Sequence, residues 1–195
     1  MKQALCVHRD SMFKNGNWQG LKTDNLDAYL ALIKENYIFL PREEIEEDPQ
    51  WQQIIPYIVF KHKEKFFMYH YLEAASEKRL LNQWMLGIGG HIEPFDEGVD
   101  DVIEAGLMRE WDEEVNFSGN LVQKKLVGLL NDETRPVEAV HLGLVYLFEG
   151  DTPDIKVKET HILEGKLFSK EEMKKELKES VGWAPMIYSE FISLL

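Results

Sequence analysis

The stretch from residue 84 to residue 117 constrains the fold most, because a strand, a glycine pair and a helix follow one another there. Trp84 to Ile88 is short and apolar and predicts a strand that runs into Gly89 and Gly90. Val99 to Val115 has apolar residues at helical spacing and predicts a helix. A strand that passes through a glycine loop into a helix is typical of layered α/β and α+β domains.

The flanking patterns extend this arrangement on both sides. Apolar, β-branched and aromatic runs predict further strands, the first two as an antiparallel pair, at residues 54–60, 66–72, 121–130, 140–148 and 160–168. Ser169 followed by Glu172 predicts a capping box that starts a helix, and residues 183–194 predict another. The order favours an α/β (α+β) fold with a mixed β-sheet sandwiched between helices.

The first part of the chain is predicted to be an added segment. Ala4 to Val7 predicts a strand, and residues 25–36 predict a helix with Asp24 or Asn25 as its N-cap. An acidic, proline-bounded connector follows at residues 41–50. We therefore expect an N-terminal extension at 1–50, packed on a main domain at 51–195.

Charge and composition exclude several classes of function. The net charge of −13 disfavours binding to a nucleic acid polymer, whose phosphates require a basic surface. The chain contains no run of about 18 apolar residues, so we expect no membrane span. Cys6 is the single cysteine, and no secretory signal pattern precedes it, so a cytoplasmic location is expected.

The predicted helix ends in a cluster of carboxylates. At about 100° per residue, Glu110, Glu113 and Glu114 fall within one arc, while Leu107 and Trp111 fall on the adjacent apolar arc. Grouped carboxylates repel one another unless a cation holds them, and oxygen ligands suit Mg²⁺ or Mn²⁺. A solvated helix face is the competing interpretation for a charge cluster of this kind.

The residues around this cluster resemble the Nudix (MutT-like) hydrolase family, whose motif reads G-x5-E-x7-R-E-U-x-E-E-x-G-U, with U a bulky aliphatic residue. The segment 109–117, REWDEEVNF, matches the second half of that motif, and Gly90 and Glu93-Pro94 match its opening. The resemblance extends over residues 54–195 and is closest to a subgroup of MutT-like phosphoesterases. It implies the Nudix fold and hydrolysis of a diphosphate.

The first half of the motif departs from the family. Eighteen residues separate Gly90 from Arg109, five more than the family motif has. The first motif glutamate therefore has three candidate replacements, Asp96, Glu97 and Asp101. Asn116 stands where the family has glycine, and since asparagine also adopts the left-handed conformation, we expect it to end the helix in that conformation.

The resemblance implies a role for each motif residue. Glu110, Glu113 and Glu114 would bind the metal, together with the backbone carbonyl of Gly89. Arg109 would orient the glutamates through charge-assisted hydrogen bonds. Glu113, Glu114 and Arg109 are thus the candidate catalytic residues. The general base would be Glu114 or a carboxylate from a later loop, for which the candidates are Glu133, Glu138, Glu159 and Glu164.

Weaker candidates for substrate binding are Arg42, Arg79 and His91. The two arginines suit a substrate phosphate, although a surface ion pair is the more common use of such residues. His91 follows the glycine pair and suits a phosphate or the water shell of a metal. Trp84, Tyr57 and Phe95 are candidates for stacking on a base, with a place in the core as the alternative.

The leading hypothesis is a Mg²⁺-dependent hydrolase, of the phosphoesterase or pyrophosphatase type, that acts on a nucleoside diphosphate derivative or a related small diphosphate. The alternatives are a non-catalytic ligand-binding module on the Nudix scaffold and an isomerase of a diphosphate substrate. The expected partner is the small-molecule substrate, with neither nucleic acid polymer nor membrane. The oligomeric state stays open, with a homodimer the commonest outcome for such domains.

Overall fold

A computed structural model of the protein describes residues 2–72, 83–98 and 100–195. Its strands are β1 (Gln3–His8), β2 (Gly20–Lys22), β3 (Ile38–Pro41), β4 (Trp51–His62), β5 (Lys65–Tyr71), β6 (Met85–Leu86), β7 (Val115–Phe117), β8 (Leu121–Asn131), β9 (His141–Gly150), β10 (Ile155–Val157) and β11 (Leu163–Phe168). Its α-helices are α1 (Arg9–Met12), α2 (Leu26–Asn36), α3 (Arg42–Ile45), α4 (Val102–Glu114), α5 (Pro136–Ala139), α6 (Lys170–Glu176) and α7 (Trp183–Glu190). Residues Pro94–Gly98 form a 3-10 turn.

The chain divides into two compact units that alternate along the sequence. Unit 1 contains Met1–Tyr57, Gly89–Arg109 and Leu126–Val145, and unit 2 contains Ile58–Ile88, Glu110–Lys125 and Tyr146–Leu195. Residues 1–50 therefore belong to the same compact unit as the glycine pair and the first part of α4. The division at residue 50 into an extension and a main domain stays a prediction.

Unit 1 is organised around β1, whose four central residues are fully buried. β1 pairs antiparallel with β3 on one side, where Cys6 faces Ile38, and with β4 on the other, where Cys6 faces Gln53. Ala4, Cys6 and Ile45 form part of the core beneath it. Burial raises the pKa of the Cys6 thiol to about 12, so the side chain behaves as a small apolar group.

Unit 2 is organised around β5, an aromatic strand that pairs on both sides. β4 and β5 form the predicted antiparallel hairpin, in which Lys61 faces Phe66. β11 pairs with the other edge of β5 along its whole length, from Leu163 opposite Tyr71 to Phe168 opposite Phe66. The predicted capping box is present, because the Ser169 and Glu172 side chains each accept a hydrogen bond from the other's backbone N–H at the start of α6.

The larger sheet has the strand order β11-β5-β4-β9-β8-β2. Gln53 N donates to Val140 O at 2.8 Å, and His62 Nδ1 lies 2.9 Å from Gly150 O, so residue numbers on β4 and β9 rise together and the two strands run parallel. Since β5 and β11 pair antiparallel, the sheet is mixed. The predicted α+β class with a mixed sheet is confirmed. In the part of the chain described here, no helix is long and apolar enough to cross a membrane.

Two local predictions differ from the structure, and four short strands were missed. Asn116 does not end α4 in the left-handed conformation, because it lies in β7 and faces Lys156 of β10. The helix predicted from residue 99 begins at Val102, and Val99 lies outside the described residues. The short strands β2, β3, β7 and β10 were not predicted, since three or four residues carry too little periodicity to identify a strand.

Candidate functional site

Helix α4 carries all the motif residues from Arg109 to Glu114. Its start is fixed by Asp101, whose Oδ1 accepts hydrogen bonds from Ile103 N at 3.1 Å and Glu104 N at 3.3 Å. Asp101 Oδ2 also pairs with Lys34 Nζ at 2.7 Å. Although partial burial opposes ionisation, the Lys34 pair and these cap hydrogen bonds keep the pKa of Asp101 below its usual value. Asp101 is therefore the cap of α4.

Asp96 is the acid that the structure pairs with Arg109. Arg109 Nε donates to Asp96 Oδ1 and Arg109 Nη2 donates to Asp96 Oδ2, both at 3.0 Å. Asp96 is only 5% exposed, and its Oδ2 also accepts from Glu93 N at 2.9 Å. Glu97, the third candidate, instead accepts a hydrogen bond from Tyr37 Oη at 2.9 Å. The geometry thus favours Asp96 as the replacement for the first motif glutamate.

The loop around Asp96 lies unusually close to α4. A Cβ added to Gly106 would lie 2.9 Å from Ile92 Cγ1 and 3.2 Å from Asp96 Oδ2, so only glycine lets the helix approach this far. Arg109 Nη2 also donates to His91 O at 2.7 Å, and its guanidinium carbon lies 5.1 Å from the ring centroid of Phe95. The arginine is thereby fixed to the loop at several points.

Gly89 is a second point of close approach. A Cβ at this position would lie 1.8 Å from the carbonyl oxygen of Pro56 in β4, a distance that no side chain can occupy. Gly89 itself is exposed, whereas Pro56 is buried. The first glycine of the pair is therefore required by packing, independently of the role that the family resemblance implies for its carbonyl.

The carboxylates of α4 lie in unit 2 and affect one another. Glu110 is 8% exposed, Glu114 is half-buried and Glu113 is exposed. Burial raises the pKa of Glu114, and the negative charges of Glu110, Glu159 and Glu113 raise it further. Negative charge is therefore concentrated around Glu114.

An aromatic cluster fixes this end of the helix. The Trp111 ring lies 5.6 Å from that of Phe60, 5.3 Å from that of Phe148 and 5.9 Å from that of Phe117, measured between centroids. Trp111 is buried on the face of α4 that the helical wheel assigns to the core. Tryptophan, which departs from the aliphatic residue of the family motif, thus serves as the main apolar anchor of the carboxylate-bearing turn.

Glu159 is the later carboxylate whose charge reaches Glu114. The preceding residue holds this segment against the end of α4, because Lys158 N donates to Glu114 O at 2.9 Å and Lys158 Nζ donates to Asp112 O. A lysine at the C-terminus of a helix also complements the helix dipole. Of the four later carboxylates named from the sequence, the structure brings Glu159 into the electrostatic environment of the motif.

The donor set suits a hard divalent cation, although the side chains do not converge on one point. Carboxylate oxygens are the ligands that Mg²⁺ and Mn²⁺ prefer, and a cation would offset the repulsion that raises the pKa of Glu114. Among the described residues, no group of three or more His, Cys, Asp or Glu side chains is arranged to hold an ion. The residue types fit a divalent metal, although their side chains are not gathered around one point in this structure.

The weaker substrate candidates have specific surroundings. Arg42 Nη2 pairs with Glu46 Oε1 at 2.9 Å, which is the ion-pair alternative for this residue. His91 Nε2 lies 2.9 Å from Gln53 Oε1, and burial, followed by the charge of Arg42, lowers the pKa of His91 to about 3. Arg79 lies outside the described residues.

The chain is similar to known proteins over most or all of its length. No family model matches the chain. Protein YmaB of Bacillus subtilis (strain 168) is 30% identical over 183 residues, which cover 90% of this chain and 89% of YmaB. Among solved structures, Tm1382, a protein assigned to the Nudix hydrolases, is 28% identical with a TM-score of 0.85, and the alignment covers 100% of each chain.

A more distant structure supports the fold alone. The Nudix domain of NrtR from Shewanella oneidensis, solved with ADP ribose, is 12% identical and has a TM-score of 0.51 over 73% of this chain and 84% of that one. Together with the motif on α4 and the mixed sheet, the likeness to Tm1382 over the whole chain leads to one conclusion. The chain belongs to the Nudix hydrolase family, whose members hydrolyse phosphoric anhydrides.

Proposed function

We propose that the protein is a divalent-metal-dependent pyrophosphatase that cleaves a nucleoside diphosphate derivative in the cytoplasm. The observation that carries this proposal is the carboxylate cluster on α4, where the charges of Glu110, Glu159 and Glu113 add to burial in raising the pKa of Glu114. Keeping such a cluster half-buried opposes folding, so a binding role is the simplest reason for it. Mg²⁺ or Mn²⁺ is the proposed cofactor.

The residues of the chain divide the work. Glu110, Glu113 and Glu114 would hold the metal, with the Gly89 carbonyl as an added ligand that the family resemblance implies. When bound, the metal would polarise phosphorus–oxygen bonds and favour ionisation of a water molecule. Arg109, held in place by Asp96 and His91 O, positions the turn that carries Glu110.

Glu114 and Glu159 are the proposed candidates for the general base. A base works best when its pKa lies near the working pH, and the pKa of Glu114 is shifted upward, in that direction. Glu159 lies on a loop, where a side chain can follow the reacting water. The water would attack one phosphorus, and the carboxylate would accept its proton as the phosphoric anhydride bond breaks.

The metal site is tested by replacing Glu113, which is exposed, and Glu114, which is half-buried. E113Q and E114Q each remove one carboxylate charge with little change in shape, and we expect each to lower kcat by about 100-fold or more. The assay would use nucleotide and nucleotide-sugar diphosphates with Mg²⁺ or Mn²⁺, including ADP-ribose because the NrtR domain binds it. D112N is the matched control, since Asp112 is exposed on the same helix.

The outcomes separate the competing functions. Full turnover by both glutamine variants would contradict the metal site, whereas loss in both with D112N unaffected supports it. Phosphorus NMR of the products distinguishes hydrolysis, which splits the diphosphate, from isomerisation, which leaves it intact. Calorimetry with Mn²⁺ identifies a non-catalytic module if the wild-type chain binds no metal.

A further inference from the structure

Unit 1 contains a cavity of about 830 Å³ that the motif does not include. Its walls come from three segments that are distant in sequence: residues 42–49 at and after α3, His91 in the glycine loop, and residues 136–141 in α5 and the start of β9. We call this cavity the histidine pocket, because the rings of His91 and His141 both line it, 5.6 Å apart. Its volume lies within the range of pockets that bind small molecules.

Two buried glutamines hold the walls of the histidine pocket in place. Gln53 is fully buried, its Oε1 contacts His91 Nε2 at 2.9 Å, and its backbone N donates to Val140 O at 2.8 Å. Gln52 is also fully buried, and its Nε2 donates to Ala139 O at 2.8 Å. The pocket is therefore pre-formed and attached to the central strand β4.

Burying these two glutamines lowers the free energy of unfolding. Gln52 Oε1 and Gln53 Nε2 are buried without a hydrogen-bond partner in the described part of the chain, and such an atom costs about 1–3 kcal/mol. Apolar side chains at two core positions of a strand would avoid that cost. Two consecutive polar residues that instead contact the segments lining one cavity indicate that the shape of the cavity is used.

The lining of the histidine pocket combines a few charged groups with apolar walls. Arg42, Glu46 and Glu47 are its charged residues, and Arg42 is already paired with Glu46 at 2.9 Å. The other walls include Pro49, Pro136 and Val137, which are apolar. An uncharged planar ring with hydrogen-bond donors would find apolar walls and carboxylate acceptors there.

His141 provides one such acceptor in a fixed orientation. Its Nδ1 lies 2.5 Å from Val137 O, and because a carbonyl only accepts, this nitrogen carries a proton. In the neutral ring Nε2 is then an acceptor. None of the described residues donates a hydrogen bond to this nitrogen. An amino or imino group of a nucleobase is a suitable donor for this atom.

We infer that the histidine pocket binds a nucleoside, with the base between the proline and valine walls and its donors directed at His141 and the carboxylates. One residue connects the pocket to the motif, because the carbonyl of His91 accepts a hydrogen bond from Arg109 at 2.7 Å while its ring lines the pocket. The inference rests on the proposed function for the identity of the ligand as substrate, and its test does not require turnover.

The test is direct binding of adenosine, guanosine, cytidine and uridine, each measured by calorimetry without metal. Val137 is 67% exposed, so V137W can fill the pocket without disturbing the core. V122W is the matched control, because Val122 is 62% exposed and does not line the pocket. We expect at least one nucleoside to bind the wild type and V122W, and V137W and H141A to bind it about tenfold more weakly or worse.

Inorganic pyrophosphate tests the alternative that the pocket binds phosphate groups and not a nucleoside. If V137W weakens pyrophosphate binding and leaves nucleoside binding unchanged, or if no nucleoside binds the wild type, the inference is overturned. Nucleoside binding that V137W removes would stand even if E113Q and E114Q kept full turnover, so the two proposals fail separately. With an active substrate, we further expect V137W to raise KM while kcat stays unchanged, as for a contact equal in the ground and transition states.

Discussion

Arg109 pairs with an opposite charge, Asp96, whereas Glu114, later in α4, lies among other carboxylates. Arg109 and Asp96 form a buried two-point ion pair at 3.0 Å, and the loop carbonyl of His91 adds a third hydrogen bond at 2.7 Å. Glu114 has the reverse surroundings, since burial and three neighbouring carboxylates raise its pKa. The two regions share a helix but not an electrostatic state.

Arg109 and Asp96 hold the motif together, whereas the glutamates are the residues available to a ligand. The Arg109–Asp96 pair is complete within the protein and needs no ligand to balance it. Around Glu114 the neighbouring charges that act on its pKa are negative, and a bound cation would offset their effect. Removing a carboxylate charge at the two ends should therefore change stability in opposite directions, which D96A and E114Q test, while W111A tests the packing that holds the glutamate end in place.

The largest effect is expected from Trp111, which holds the glutamate cluster through aromatic packing. W111A removes a buried ring that packs against Phe60, Phe117 and Phe148, and we expect the free energy of unfolding to fall by about 4 kcal/mol. Urea denaturation measures the change, and W111F, which keeps an aromatic ring, should lose less. A loss below about 1 kcal/mol would mean that the glutamate cluster is held by something other than packing.

The next effect concerns the ion pair itself. D96A leaves the Arg109 guanidinium without its buried partner, and we expect a loss of about 3 kcal/mol in the free energy of unfolding, with reduced turnover. D100A serves as the control, because Asp100 is exposed in the same loop. Equal stability of D96A and D100A would show that the pair contributes nothing, and the contrast between the two ends of the motif would disappear.

The smallest effect has the opposite sign. Because the raised pKa of Glu114 means that its charge is disfavoured in the folded protein, the neutral E114Q should be more stable than the wild type by ~0.5 kcal/mol in the presence of a chelator. Added Mn²⁺ should raise the melting temperature of the wild type but not that of E114Q. If E114Q were less stable than the wild type in the chelator, the charge of Glu114 would not be destabilising the folded protein.

The regular elements and the carboxylate half of the motif were predictable because their signals are local. The helical spacing placed Leu107 and Trp111 in the core, and both are buried. The Ser169–Glu172 capping box needs only two residues three positions apart. Each of these predictions depends on a periodicity that one element carries by itself.

The choice among Asp96, Glu97 and Asp101 was not predictable because it depends on partners elsewhere in the chain. Lys34 of α2 binds Asp101, Tyr37 binds Glu97, and the 3-10 turn directs Asp96 at Arg109. Spacing alone allowed all three. The proximity of Glu159 to Glu114 was likewise invisible, since it depends on the backbone contacts of Lys158.

The error at Asn116 has a physical reason. The left-handed conformation is favoured by asparagine after a helix, but Asn116 instead continues as an extended residue between Val115 and Phe117. The pairing of β7 with β10 supplies the backbone hydrogen bonds that a helix-ending turn would otherwise have provided. Lys156, a pairing partner forty residues away, thus outweighed a local preference.

The burial of Cys6 gives this protein a built-in reporter of its own opening. The chain has one cysteine, it lies in β1 between two paired strands, and burial raises its pKa to about 12. A thiol reagent can therefore modify the protein only when β1 leaves β3 or β4. The rate of labelling would time the opening of unit 1 in an unmodified chain, without an introduced probe.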